Sequence, residues 1–156
     1  MFDKATVEKT TMKKLTWRIV PYILFLYVIA MMDRVNIGFA ALTMNADLGI
    51  SSKVYGMLAG IFFISYFLFE VPSNILMHRV GARKWIARIL VSWGLVTMVI
   101  GLAQNATHVG ILRALLGMSE AGFYPCIILY LTFFFPSRYL ARTISMFMVA
   151  QGLANI

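Results

Sequence analysis

Long runs of apolar residues alternate with short polar segments along the whole chain. Four of these runs exceed the ~20 residues that a helix needs to cross ~30 Å of hydrocarbon, and the fifth is slightly shorter. The polar segments contain the Gly, Pro, Asn, Asp and Ser residues that end helices. The pattern predicts an all-α, polytopic membrane helix bundle with about five transmembrane helices. They occupy residues 17–41, 53–76, 84–104, 108–134 and 139–156, behind an N-terminal tail of residues 1–16.

The composition supports a membrane protein and gives no sign of an enzyme. Of the 156 residues, 61% are hydrophobic and only 13% are charged, which is about half the share in soluble domains. Too few polar groups are present to cover so much apolar surface. We find no nucleophile–base set, phosphate loop or metal-ligand spacing, so we expect no catalytic residue, metal or cofactor. The single cysteine, Cys126, excludes an internal disulfide and is interpreted as inert packing.

The charge distribution predicts the orientation in the membrane. The net charge is +8, and the tail and the second and fourth loops are basic, whereas the third loop has neither Lys nor Arg. Positive loops stay in the cytoplasm, so we expect a cytoplasmic N-terminus in the cell (inner or plasma) membrane. The alternative, a nucleic-acid surface, is disfavoured because the basic residues are dispersed among membrane edges. The basic residues near the first helix are Lys4, Lys9, Lys13, Lys14 and Arg18.

Two pairs of charged residues interrupt apolar runs: Asp33 and Arg34 in the first, and Arg113 and Glu120 in the fourth. Each such charge costs about 2.5–3.5 kcal/mol near the bilayer centre, so such residues usually belong to a substrate, ion or proton pathway. Asp33 also argues against a cleaved signal peptide, whose core is apolar. Asp33 and Arg113 are predicted at similar depths and can pair. A purely structural ion pair between these two helices is the competing interpretation.

Two helix faces carry these charges at helical spacing. Arg113 and Glu120 are seven residues apart, about two turns. The stripe on the fourth helix comprises Gly110, Arg113, Gly117, Glu120 and Tyr124, and the line on the first comprises Tyr27, Arg34 and Gly38. Small residues let helices approach, and tyrosines offer hydroxyls. We therefore expect the two faces to line a polar cavity. A second small-residue pair, Gly56-x-x-x-Gly60, predicts a close helix contact.

The residue types indicate an anionic substrate. Arginine in a site of low dielectric binds carboxylates through two hydrogen bonds and keeps its charge, which favours Arg34 and Arg113 as ligands for an anion. Tyr27 and Tyr124 are candidates for further substrate contacts. A carboxylate such as Asp33 or Glu120 can bind and release a proton as its arginine partner comes and goes. These groups are sufficient for proton-coupled uptake of an organic acid.

The segment between the second and third helices carries a family resemblance. It reads Asn74-x-x-x-His78-Arg79-x-Gly81-x-Arg83-Lys84 and resembles the loop signature of the major facilitator superfamily. That signature usually has Gly and Asp where this chain has Asn74 and His78. The resemblance implies a gating loop, and Glu70, beside the helix-kinking Pro72, is assigned a gate or packing role. The candidate gating residues are Glu70, Asn74, Arg79, Gly81, Arg83 and Lys84.

Four motifs resemble one group within that superfamily, the anion:cation symporters, which are similar to transporters for tartrate, phthalate and sugar acids. The motifs lie at residues 33–38, 70–74, 81–85 and 116–125. The resemblance implies a fold of twelve helices in two halves, of which this chain supplies an N-terminal fragment lacking the C-terminal half. It also implies that Asp33, Arg34, Arg113 and Glu120 serve substrate binding and proton coupling.

The prediction is a secondary active transporter that takes up a small organic anion, a sugar acid or dicarboxylate, together with a proton. Its expected partners are the anion, the proton, the lipid bilayer and the C-terminal half of the transporter, with no nucleic acid. Two alternatives stay open. One is a cation or drug exporter of the same fold, against which the two inward arginines argue. The other is a non-transporting accessory membrane bundle whose charges are only structural.

Overall fold

A computed structural model describes the backbone of residues 4–153 and the side chains of residues 6–41 and 43–149. Residues 1–3 of the predicted tail and 154–156 of the last predicted helix lie outside this range. The described residues form helices and no strand, so the all-α prediction is confirmed. The helices are α1 (Lys4–Asp47), α2 (Ser52–Val80), α3 (Ala82–Ile100), α4 (Ala106–Glu120), α5 (Phe123–Phe134) and α6 (Ser137–Leu153).

Three segments of the described chain are long and apolar enough to cross a membrane. They are Thr6–Ala41, Ser52–Val80 and Ala106–Phe134, the last formed by α4 and α5 together. α3 and α6 lie where the third and fifth spans are predicted, but they are shorter, at 19 and 17 residues. The bundle therefore follows the order of the predicted apolar runs.

The first helix extends beyond its predicted limits of 17 and 41 at both ends. Its N-terminal part contains Lys, Glu, Met and Ala, which favour helices, and no glycine or proline before Pro21. Its C-terminal end is a Schellman motif at Gly49, which has φ +62°. There the N–H of Ile50 donates to the carbonyl of Asn45 at 2.8 Å. The predicted tail and first connector are thus largely helical.

The predicted loop between the second and third helices is reduced to one residue, Gly81. Its φ of +93° is readily available only to glycine, and its N–H donates to the carbonyl of Met77. Arg79 consequently lies in the last turn of α2, while Arg83 and Lys84 lie in the first turn of α3. The prediction of a separate gating loop is wrong in this respect, although the exposed basic side chains flank the turn.

The fourth predicted helix, 108–134, is not continuous, because it breaks at Ala121 and Gly122. Pro125 explains the break, since it has no N–H to donate to the carbonyl of Ala121 and its ring would clash with that carbonyl. Ala121 is extended, with ψ 129°, and Gly122 has φ +82°. α4 therefore ends at Glu120, the residue predicted for proton coupling.

The chain divides into two compact units, of which the first comprises residues 1–37 and 128–156. Within it, α1 buries a stripe at intervals of three and four residues, comprising Val20, Ile23, Tyr27 and Ala30. The ring of Tyr27 packs edge-on against Phe147 of α6, with centroids 5.1 Å apart. Asp33 and Arg34 follow one turn after this stripe and are half-buried.

The second unit comprises residues 38–127 and contains the α2–α4 packing. α2 and α4 run parallel, since Gly110 lies near Leu58 while Ala121 lies near Ser73. The reversal at Gly81 therefore makes α3 antiparallel to both. Where α2 and α4 begin, Ile50, Leu58 and Val109 form a core that joins the first and third connectors. Both connectors thus lie at one end of the unit, as the charge pattern predicts.

Close packing of α2 and α4 depends on Gly117, and not on the predicted pair Gly56 and Gly60. A Cβ atom at Gly117 would collide with the backbone carbonyl of Phe62 and lie 3.1 Å from the Cβ of Ser65. A Cβ atom at Gly56 or Gly60 would meet nothing within 4 Å in the described structure. The predicted Gly56-x-x-x-Gly60 contact is therefore wrong for this part of the chain.

This difference gives a matched pair of stability predictions. Gly117→Ala should lower the free energy of unfolding by about 1–3 kcal/mol, because the methyl group overpacks a helix contact. Gly60→Ala should leave it unchanged or raise it by up to about 1 kcal/mol, through helix propensity. Unfolding of the purified protein by denaturant in detergent micelles measures both. Equal effects of the two substitutions would contradict this packing.

Candidate functional site

Arg113 and Glu120 are the most deeply buried charged residues of the site, with 5% and 2% of their surfaces exposed. Both lie on α4, about two turns apart, so they project from nearly the same face. Full burial protects the two charges from lipid, whereas outward placement would expose them to hydrocarbon. The sequence prediction that this helix turns its charges inward is confirmed.

Arg113 is held against α2 through an aromatic ring. The central carbon of its guanidinium, Cζ, lies 5.0 Å from the centroid of the Phe62 ring, which is 2% exposed. A guanidinium over an aromatic face gains a cation–π attraction that increases when water is excluded. The contact orients the guanidinium, whose planar fork of N–H donors is the group that recognises carboxylates.

The glycines of the predicted stripe bring the two helices close enough for this contact. A Cβ atom at Gly110 would lie 3.1 Å from the Cδ2 of Leu58, and one at Gly117 would meet the α2 backbone. Gly110 and Gly117 thus flank Arg113 along the same face, which places its guanidinium over Phe62. The sequence pattern predicts this face correctly as far as Glu120.

The prediction that the stripe continues to Tyr124 is wrong as a helical relation. The chain leaves the helix after Glu120, and Tyr124 belongs to α5, where it is half-buried. The spacing of four residues therefore does not place Tyr124 one turn below Glu120. The predicted substrate contact of Tyr124 would therefore be made from α5.

The candidate residues of α1 belong to the first unit. Asp33 and Arg34 are half-buried, and Tyr27 is 4% exposed with its ring against Phe147. Arg34 lies seven residues after Tyr27, about two turns, so the two residues share a face of α1. Pairing between Asp33 and Arg113 stays a prediction, because the two residues lie in different units.

The candidate gating residues divide into two groups. Glu70 and Asn74 are half-buried within α2, and the Sγ of Cys126 donates to the Oδ1 of Asn74 at 3.7 Å. Cys126 is fully buried, in keeping with its interpretation as packing. The other four gating residues are exposed around the turn between α2 and α3: Arg79, Gly81, Arg83 and Lys84.

Sequence reasoning missed several polar residues of the second unit. Arg88 of α3 is half-buried, with its Cζ 4.2 Å from the Trp85 ring centroid. Arg88 is a charged residue inside the apolar run 84–104. The criterion that selected Arg113, a charge within an apolar run, would therefore have selected Arg88 as well. Ser73 bonds to both Trp85 and Ala121. Ser73 and Trp85 stand inside the family motifs, but nothing in the sequence predicts that they meet.

The chain is similar to transport proteins from several bacteria. The chain is 56% identical over 150 residues to an Agrobacterium vitis protein named for tartrate transport, covering 96% of this chain and 33% of that protein. A quinolone resistance transporter of Acinetobacter baumannii is 46% identical over 147 residues, covering 94% of this chain and 34% of that protein. A Pseudomonas putida protein named for metabolite transport is 45% identical over 148 residues, covering 95% and 34%.

The chain thus spans about a third of the length of the curated relatives that it matches. Their names describe transporters and not enzymes. The family model of the Major Facilitator Superfamily matches residues 23–156, which include the buried charges of α4 and the turn at Gly81. The apolar helices and the inward charges agree with this match. The chain therefore belongs to the major facilitator superfamily.

Proposed function

We propose that the chain forms the N-terminal part of a proton-coupled transporter for a small organic anion, a sugar acid or dicarboxylate, in the cell membrane. The observation that carries the proposal is the burial of Arg113 and Glu120 on one face of α4. A cation and a carboxylate inside an apolar helix are costly in lipid and suit a site that binds an anion together with a proton. The relative named for tartrate transport supports this substrate class.

Each candidate residue has a role in this proposal. The guanidinium groups of Arg113 and Arg34 bind the carboxylate of the substrate, and the hydroxyls of Tyr27 and Tyr124 bind its other oxygens. The carboxylates of Asp33 and Glu120 carry the proton. A bound anion pairs with the arginine that would otherwise stabilise the ionised form of the carboxylate. The carboxylate then holds its proton more readily. Binding of the anion and binding of the proton therefore favour each other.

Transport also needs the partner half. In this fold the two halves rock around a site between them, and the exposed basic residues at the α2–α3 turn would form part of the cytoplasmic gate. The proposed chain supplies one side of the site, and C-terminal helices supply the other. The exposure of Arg79, Arg83 and Lys84 supports contacts of these side chains with such a partner.

The main alternative is a drug or cation exporter. It is favoured by the 46% identity to the quinolone resistance transporter of Acinetobacter baumannii. The buried Arg113 argues against a cationic substrate, because like charges repel strongly where water is excluded. The accessory-bundle alternative would use Arg113 only for its contact with Phe62.

A full-length chimera separates these functions. It joins this chain to the remaining two thirds of the Agrobacterium vitis relative, whose N-terminal part it replaces. In cells that do not themselves take up the anion, we expect the chimera to accumulate labelled tartrate or a sugar acid. We expect it not to transport a cationic dye. Energy-dependent expulsion of the dye or of a quinolone would support the exporter. A chimera that inserts but moves none of these would support the accessory bundle, provided that the relative itself transports.

The orientation is tested by single cysteines in a chimera whose Cys126 is replaced by alanine. Thr107 and Arg83 are both exposed and lie near opposite ends of the second unit. We expect Thr107→Cys to react with an impermeant thiol reagent added to intact cells, and Arg83→Cys to react only after the cells are opened. The reverse pattern would overturn the proposed cytoplasmic N-terminus.

A further inference from the structure

The hydroxyl of Ser73 joins three segments of the second unit. It accepts a hydrogen bond from the indole Nε1–H of Trp85 at 2.9 Å and donates one to the carbonyl of Ala121 at 2.6 Å. Ser73 is 5% exposed and Ala121 is fully buried, so water does not compete for these bonds. Three of the family motifs therefore meet at one side chain: the α2 motif, the start of α3 and the end of α4.

The carbonyl of Ala121 requires this donor. In a continuous helix it would accept from the N–H four residues later, but that residue is Pro125, which has none. A buried carbonyl without a partner is unfavourable, because it has lost its hydrogen bonds to water and gained none in the protein. Ser73 supplies the missing donor. Because the Trp85 N–H donates to the Ser73 oxygen, the hydroxyl proton of Ser73 is directed toward the carbonyl of Ala121.

The fit around Ser73 is tight. A Cβ atom at Gly122 would lie 2.6 Å from the Oγ of Ser73 and 3.3 Å from the Oδ1 of Asn74. Gly122 also has φ +82°, which disfavours any residue with a side chain. The break between α4 and α5 is consequently packed tightly against α2.

We propose that Ser73, oriented by Trp85, is a positioning residue for Glu120. Glu120 precedes Ala121 directly, so the bond that fixes the Ala121 carbonyl also fixes the direction of the last helical residue. This inference rests on the proposed coupling role of Glu120. Without the Ser73 bond, the end of α4 is free to rotate, and the carboxylate of Glu120 no longer meets the proton and the anion in the same geometry.

The test uses the full-length chimera and two readouts in proteoliposomes: accumulation driven by a proton gradient, and exchange of labelled for unlabelled anion without a gradient. Ser73→Ala should lower accumulation about tenfold per amount of inserted protein while exchange falls by less than about twofold. Trp85→Phe keeps the bond to Ala121 but loses the orienting donor, and should give a smaller loss of the same kind. Ser92→Ala is the matched control, because among the described residues that hydroxyl donates to carbonyls of α3 alone.

A double variant shows whether Ser73 acts through Glu120. Because Glu120→Gln already abolishes accumulation, the readout in this background is anion exchange. Adding Ser73→Ala should leave the exchange rate of the Glu120→Gln chimera unchanged, since the group that Ser73 positions is gone. A further fall of exchange when Ser73→Ala is added to Glu120→Gln, or an equal fall of accumulation and exchange in Ser73→Ala alone, would overturn the positioning role and leave a structural one. If the unsubstituted chimera exchanges anion but shows no accumulation with a proton gradient, the proposed function fails instead. The two failures are therefore distinguishable.

Discussion

Replacing Arg113 by alanine in the full-length chimera is expected to weaken anion binding about thirtyfold or more. The substitution removes a buried, charge-assisted pair of hydrogen bonds to a carboxylate, an interaction whose loss typically costs about 2–5 kcal/mol. Arg113→Lys should recover only part of this loss, because an ammonium group has no planar fork and stacks less well over Phe62. Titration calorimetry of the purified chimera with the transported anion measures the affinity.

The control for Arg113 is Arg142→Ala. Arg142 is exposed on α6, so its removal deletes an equal charge outside the proposed site. We expect the affinity of the Arg142→Ala chimera for the anion to stay within about twofold of that of the unsubstituted chimera, because exposed charges contribute little. If Arg113→Ala also bound the anion normally while remaining folded by circular dichroism, Arg113 would be a packing residue for Phe62 and not a ligand.

Glu120→Gln is expected to abolish proton-driven accumulation and to preserve exchange of the anion. The amide has nearly the shape of the carboxyl group but cannot release a proton, so substrate binding persists while coupling is lost. Glu120 is only 2% exposed, so the folding of this variant is checked by circular dichroism before transport is measured. Accumulation of labelled anion should fall to the level set by equilibration across the membrane.

The outcome that contradicts this role is specific. If the Glu120→Gln chimera still concentrated the anion with normal pH dependence, the coupling group would lie elsewhere, with Asp33 as the next candidate. Asp33→Asn, tested in the same vesicles, then decides between the two carboxylates. Glu8→Gln is the control, because Glu8 is exposed near the N-terminal end of α1.

Much of the fold follows from the sequence because hydropathy and helix length act over many residues. The apolar runs predicted the order of the helices, and the small and charged residues of α4 predicted the face that carries Arg113. These features depend on repeated local patterns, in which single errors average out. The half-buried positions of Asp33 and Arg34 follow from the same periodicity along α1.

The features that were missed depend on single residues. One glycine, Gly81, reverses the chain where a loop was expected, and Pro125 breaks α4 four residues before itself. The break could have been predicted, since Gly122 and Pro125 both lie in the family motif at residues 116–125. The bond from Ser73 to Ala121 could not, because it joins residues 48 positions apart through tertiary packing.

Proton movement that accompanies anion movement tests the central claim most directly. Proteoliposomes that contain the chimera and an internal pH dye are given an inward concentration gradient of one anion. This is the anion that cells expressing the chimera accumulate most. Coupled symport predicts acidification of the lumen with the unsubstituted chimera and none with Glu120→Gln, although labelled anion still exchanges in both. Anion entry without acidification in the unsubstituted chimera, or equal acidification with Glu120→Gln, would contradict the account.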